Sequence, residues 1–159
     1  MEQEQELNCI RMRGSIRMVL GDLDGNAIKE MNFHNLLVTV GRSWVLGQLE
    51  SVNIQTAQTI SYMAIGSSTV APTTGDSLLG AEVTRLAIGT FTTTGLTNNP
   101  PSWQAATSFA TNLANTTLAE VGLFNTATAN TGTMLAHATF ASFVKATSNT
   151  LSISYTISG

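Results

Sequence analysis

Leu151, Ile153, Tyr155 and Ile157 alternate with Ser152, Ser154, Thr156 and Ser158 near the C-terminal end of the chain. A period of two places the apolar set on one face of a β-strand and the hydroxyls on the other. Similar alternation runs through Ser15 to Leu20, where Ile16, Met18 and Leu20 oppose Ser15, Arg17 and Val19, and Ala27 to Phe33 follows with Ile28, Met31 and Phe33. Between these runs lies Asp24-Gly25, a hairpin signal because glycine tolerates the positive φ of the turn. Further strands are predicted at Ile60 to Ile65, Arg85 to Thr93, Ser102 to Ala114, Thr117 to Phe124 and Thr133 to Phe140.

Asn35 to Glu50 follows a different period. Leu37, Val40, Trp44, Val45 and Leu49 recur at helical spacing, predicting one short helix over about residues 39–50 with Thr39 or Asn35 as its N-cap. Gly41 and Gly47 weaken it by about 1 kcal/mol each relative to alanine, and permit close packing on a sheet. Trp44 is expected to anchor the core. Asp76 is read as the cap of a single turn, Ser77-Leu78-Leu79, closed by Gly80. About eight to nine strands separated by turn signals predict an all-β fold, a jelly-roll-like β-sandwich. Residues 1–13 lack hydrophobic periodicity and are expected to form an extended N-terminal arm, leaving 14–159 as a single domain.

Composition sharpens this picture. The chain has 159 residues and a formal net charge of −3. Nucleic acid is not an expected partner, because phosphates require a basic stripe. No apolar run approaches the roughly 18 residues of a membrane span. The start, Met1-Glu-Gln-Glu-Gln-Glu6, is acidic where a signal peptide is basic and then apolar. Cys9 stands alone, so an intrachain disulfide is excluded. Between Ser51 and Gly159 the charged residues are Asp76, Glu82, Arg85, Glu120 and Lys145, and no others. A free protein surface is ordinarily about a quarter to a third charged. This stretch therefore covers its polar faces with hydroxyls and amides, which suit packing against other protein.

Chemistry finds little to work with. Asp22, Asp24 and Asn26 resemble the start of a calcium loop, but Gly25 comes fourth and Phe33 stands twelfth where a bidentate acid is needed, so a turn is read instead. Gly66-Ser-Ser-Thr is followed by no Gly-Lys-Ser/Thr and lacks the second glycine of a nucleophile elbow. His34 and His137 are far apart, and no compact ligand cluster points to zinc. Glu82 and Glu120 are the middle-chain glutamates, with nothing in the sequence to bring them together as a glycosidase pair. No catalytic residue, cofactor or metal site is expected. Glu120 lies in the apolar run Leu118 to Phe124, where an unpaired buried carboxylate is costly. A structural ion pair with Arg85 is expected, His137 being the second candidate and a solvent-facing strand the alternative.

Two stretches carry a resemblance. Tyr62-Met-Ala-Ile-Gly-Ser-Ser-Thr-Val-Ala-Pro-Thr-Thr-Gly-Asp-Ser-Leu-Leu-Gly-Ala-Glu82, followed by Arg85, is one. Ala119-Glu-Val-Gly-Leu-Phe124 with Gly132-Thr-Met-Leu-Ala-His-Ala-Thr-Phe140 is the other, and Phe33 to Arg42 adds a third segment. Together they resemble small β-sandwich virion structural proteins of tailed bacteriophages, both capsid-associated and tail-associated, over residues 15 to 159. Those proteins commonly place Arg where His137 stands here. The resemblance implies a non-enzymatic structural subunit. The leading expectation is a capsid decoration or cement protein, bound to the major capsid protein on the outer shell as a homodimer or homotrimer. Arg11, Arg13 and Arg17 are its candidate docking arm. The alternatives are a tail fibre, collar or baseplate subunit, and a carbohydrate-binding module using Trp103, Trp44 or Tyr62 as a stacking platform, Trp103 being the one expected to be exposed.

Overall fold

The computed structural model describes residues 12–50, 59–94 and 102–159, the side chains of 48–50 excepted. Ten strands and one helix are present: β1 (Arg13–Gly21), β2 (Ala27–His34), β3 (Leu36–Leu37), α1 (Thr39–Glu50), β4 (Tyr62–Gly66), β5 (Glu82–Ala87), β6 (Thr90–Thr94), β7 (Ser102–Phe109), β8 (Thr117–Phe124), β9 (Met134–Val144) and β10 (Thr150–Ser158). They form two five-stranded antiparallel sheets, with orders β2-β1-β10-β7-β6 and β3-β9-β8-β4-β5. The chain crosses between the sheets after β2, β5, β7 and β9. This is the expected all-β sandwich with one short helix.

The period-two pattern explains the main core. Ile16, Met18 and Leu20 of β1 sit beside Leu151, Ile153 and Tyr155 of β10, and all are buried. From the second sheet, Met63, Ile65, Val121, Leu123 and Ala138 face them across the interior. A smaller apolar cluster of Val38, Ala64, Leu79, Phe124 and Met134 is separate from this core. Its sheet residues belong to the second sheet, and Leu79 comes from the 67–81 connection. That connection covers the sheet's outer face, so the second sheet is packed on both sides.

Three sequence expectations need correction. The single strand expected from Arg85 to Thr93 is two strands in different sheets. Ile88 N–H still bonds Ser61 O in one sheet, while Gly89 N–H bonds Ala106 O in the other, so the chain turns the corner between these two residues. The strand from Ser102 stops at Phe109, and Lys145 rather than a continued ladder ties down the residues that follow. Asp76 caps no turn at 77–79; its carboxylate accepts from the N–H and hydroxyl of Thr73.

Helix α1 begins at Thr39, as expected, but its apolar face is rotated. Val40 and Leu46 are exposed, and Trp44 and Val45 are half-buried against the main core. Gly41 sets this orientation. A Cβ there would overlap the Leu135 backbone of β9, so only glycine lets the helix lie this close.

Replacing Ile153 by alanine is expected to cost about 2–5 kcal/mol in urea unfolding, because the side chain is wholly internal. The neighbouring Ser152→Ala change, on the exposed face, should stay within about 0.5 kcal/mol.

Candidate functional site

The outer face of the β4–β8–β9 region gathers the groups that sequence alone left scattered. Glu120 projects outward from β8, yet it is fully buried because residues 67–81 lie over it. One carboxylate oxygen accepts the N–H of Ser68 at 3.1 Å and that of Ala81 at 2.7 Å. The other accepts the N–H of Gly80 at 2.9 Å and faces His137 Nε2 at 3.1 Å. His137 Nδ1 in turn lies 2.8 Å from Asp76 Oδ2. Gly66 is required beneath this arrangement, since a Cβ there would overlap Glu120 Oε1 and approach the Ala81 carbonyl.

Burial alone would raise the Glu120 carboxyl, but His137 and the three amides outweigh it and hold the group below its ordinary value. Burial likewise opposes Asp76 ionisation, and Thr73 with His137 reverses the effect. For His137, burial favours the neutral ring, while Glu120 and Asp76 together shift it upward. With both carboxylates ionised, both ring nitrogens are donors. Neither nitrogen is free to take a proton from a hydroxyl or a water. The trio therefore acts as a clasp that fastens the 67–81 connection to the sheet.

Arg85 does not pair with Glu120, contrary to expectation. It makes a bidentate contact with Glu82, at 2.9 and 2.7 Å, with both side chains 1% exposed. The cause is a bulge in the β4–β5 pairing. Ile65 pairs with Thr84 and Gly66 with Glu82, leaving Val83 extra, so Glu82 and Arg85 reach the same face. Arg85 Nη1 also donates to the carbonyls of Thr126 and Thr131, and its guanidinium lies 3.7 Å above the Phe124 ring. Asn130 N–H donates to Glu82, completing a second clasp on the 125–133 connection.

Lys145 forms a third. Its fully buried ammonium donates to Ala110 O at 2.8 Å and to Asn115 Oδ1 at 2.9 Å, holding the 110–116 connection. Burial lowers its pKa. These contacts account for every charged residue from Ser51 onward. Asp76, the most open of them, is 24% exposed at its side chain.

The outer face of the first sheet shows the consequence. One cross-strand row reads His34, Ser15, Thr156, Gln104 and Thr92; the next reads Asn32, Arg17, Ser154, Ala106 and Thr90. Gln104 Nε2 donates to Thr156 Oγ1, and Ser108 and Ser152 hydroxyls meet at 3.3 Å. The charged residues that stand exposed among the described ones, Arg13, Arg17, Asp24, Glu30 and Arg42, all precede residue 51.

Of the proposed docking arginines, Arg13 and Arg17 share the exposed face of β1. Arg11 lies outside the described residues, as does Cys9. Arg13 opens β1, and Arg17 sits mid-strand in a bidentate pair with Glu30 at 2.8 and 2.9 Å. Trp103 is not the exposed platform expected of it. It is half-buried on β7, lies 5.7 Å from Phe91, and with Trp44, Val45, Ile60 and Met12 lines an apolar cavity of about 470 Å³. The loop preceding it lies outside the described residues. No group of three or more His, Cys, Asp or Glu side chains among the described residues is placed to hold a metal ion. Within those residues no helix is long and apolar enough to cross a membrane. No family model, curated protein or solved structure matches the chain.

The clasp makes stability depend on pH from both sides. The raised His137 contributes fully below its ordinary value of 6.5 and loses its contribution as pH rises through the folded value. The lowered Glu120 contributes fully above its ordinary 4.5 and loses its contribution as pH falls through the folded value. Hydrogen exchange of the 67–81 amides should be slowest, after correction for intrinsic rates, between these limits and should quicken above neutrality. His137→Gln should abolish that alkaline loss. Glu120→Gln should cost about 3–5 kcal/mol in urea unfolding, since it removes the buried charge that faces His137 and three amides, places an NH₂ among donors and leaves His137 with Asp76 alone.

Proposed function

We propose that the chain is a non-enzymatic structural subunit of a tailed-phage virion, binding the outside of the capsid shell as a decoration or cement protein. One observation carries this reading: every charged side chain after residue 50 is engaged by partners within the molecule and only Asp76 is partly exposed, leaving an exterior covered mainly by hydroxyls and amides. Placing uncharged hydroxyls against a neighbour costs far less desolvation than burying ionised groups. Such a surface is suited to broad contact with other subunits. The phage-protein resemblance of the Tyr62 to Glu82 and Ala119 to Phe140 segments supplies the setting. These segments are the ones that build the Glu120 clasp and much of the Arg85 clasp, so the resemblance follows the parts that fix the loops.

Stabilisation in this role comes from addition. Each copy buries a modest area, and many copies bridge neighbouring shell subunits. A ligand that binds only the assembled state stabilises it by mass action. The three clasps hold the connections in one shape, so little loop ordering has to occur on docking.

Cryo-electron microscopy of virions carrying the protein is expected to show it on the outer shell in hundreds of copies. A location on the tail in multiples of three or six, or absence from the particle, would overturn the assignment. The joint change Gln104→Glu with Ser108→Glu puts two carboxylates on the neutral face of β7. It should reduce capsid occupancy at least about tenfold, an effect of more than about 1.4 kcal/mol, while leaving the unfolding midpoint nearly unchanged.

A further inference from the structure

The four sheet edges of this sandwich are not equivalent. β2 carries Lys29 and Glu30, the latter engaged by Arg17. β3 is two residues long. β5 is bulged near its start, and its charged side chains hold the 125–133 connection. Among the described residues the remaining edge is β6, Thr90-Phe-Thr-Thr-Thr94, which pairs with β7 on one side and is exposed at all five positions. It contains no charge, no proline and no bulge. Edge strands ordinarily carry one of these devices, because their free N–H and C=O groups are a template for another strand.

We infer that β6 is a self-association strand, pairing antiparallel with β6 of a second copy across a two-fold axis. The occupant follows from charge. A two-fold contact sets a strand against its own image, so any charge near the axis meets a like charge. β6 brings only hydroxyls and one aromatic ring to that contact. With the axis at Thr92, Thr90 faces Thr94 of the second copy and Phe91 faces Thr93. Phe91 gives a second reason. It is 49% exposed although its strand parity points it inward, beside Trp103. A paired strand would continue the sheet past it and cover the exposed side of its ring. The two five-stranded sheets would become one of ten strands, and the neutral outer faces would join.

Five paired residues make a small contact, well under the roughly 1,200 Å² of a stable standard interface. The free protein is therefore in monomer–dimer equilibrium, and crowding many copies on one surface would favour pairing. This inference is independent of the capsid reading, since it is tested on the purified chain.

Sedimentation equilibrium from about 10 µM to 1 mM, spanning weak affinities, should show a reversible dimer. Amide exchange at Thr90 to Thr94 should slow as concentration rises. Thr92→Lys should weaken the dimer at least about tenfold, because like charges meet at the axis. Far-UV circular dichroism and the unfolding midpoint should not change. Mixing Thr92→Lys with Thr92→Glu should restore pairing as a heterodimer. A monomer throughout the range, or a wild-type dimer without concentration-dependent protection at Thr90 to Thr94, would overturn the inference. So would a folded Thr92→Lys protein that dimerises as wild type.

Discussion

Ionised groups can be stabilised inside a protein only when each finds several partners, and this molecule depends on meeting that condition three times. Glu120 is surrounded by three amides and an imidazolium, Glu82 and Arg85 complete one another, and Lys145 is satisfied by a backbone carbonyl and an asparagine. A carboxylate buried without such partners would be severely destabilising. The gain is positional. Each group rises from or follows a strand and fastens a connection that has no ladder of its own, so residues 67–81, 110–116 and 125–133 acquire fixed shapes from single side chains.

The same arrangement determines the exterior. Once Asp76, Glu82, Arg85, Glu120 and Lys145 are turned to internal use, the later two thirds of the chain keep only the partly exposed Asp76 carboxylate as a charge at their surface. The outer face of the first sheet is a field of Ser, Thr and Gln, with its ion pair confined to Arg17 and Glu30 at the β1–β2 side. Rigid loops and a neutral face together favour a protein whose work is contact. A His137 with both nitrogens committed to carboxylates contributes to rigidity, and it gives the connection over Glu120 a dependence on pH that an arginine would not.

Much of the fold was legible because burial is one-sided on the first sheet. Leu151 to Ile157 and Ile16 to Leu20 alternate cleanly, and their strands match the expected ones within a residue or two. Thr117 to Phe124 was also read correctly, but of the two partners expected for its Glu120 the leading one, Arg85, is engaged elsewhere and the second, His137, makes the contact. The second sheet is covered on both faces, so its strands read as continuous apolar runs, and the side on which Glu120 emerges has no signature in the sequence. The Arg85 error had a specific origin. The expected strand began at Arg85 and left Glu82 outside it, whereas β5 starts at Glu82 and the bulge at Val83 turns Glu82 and Arg85 to the same face. The corner at Ile88-Gly89 was hidden because both halves are strand-like. Trp103 misled because a neighbouring Pro-Pro suggests a loop, while its own alternation with Ala105 and Thr107 placed it inward.

Whether these charges are internal is directly measurable. Carboxyl and amine labelling of the native protein, read residue by residue by mass spectrometry, compares Glu82, Glu120 and Lys145 with Asp24 and Lys29 in one sample. The account predicts that the first three stay unmodified while Asp24 reacts freely and Lys29 reacts measurably, the protection vanishing on denaturation. Labelling of Glu120 or Lys145 at the rate of Asp24 or Lys29 in the folded protein would contradict it.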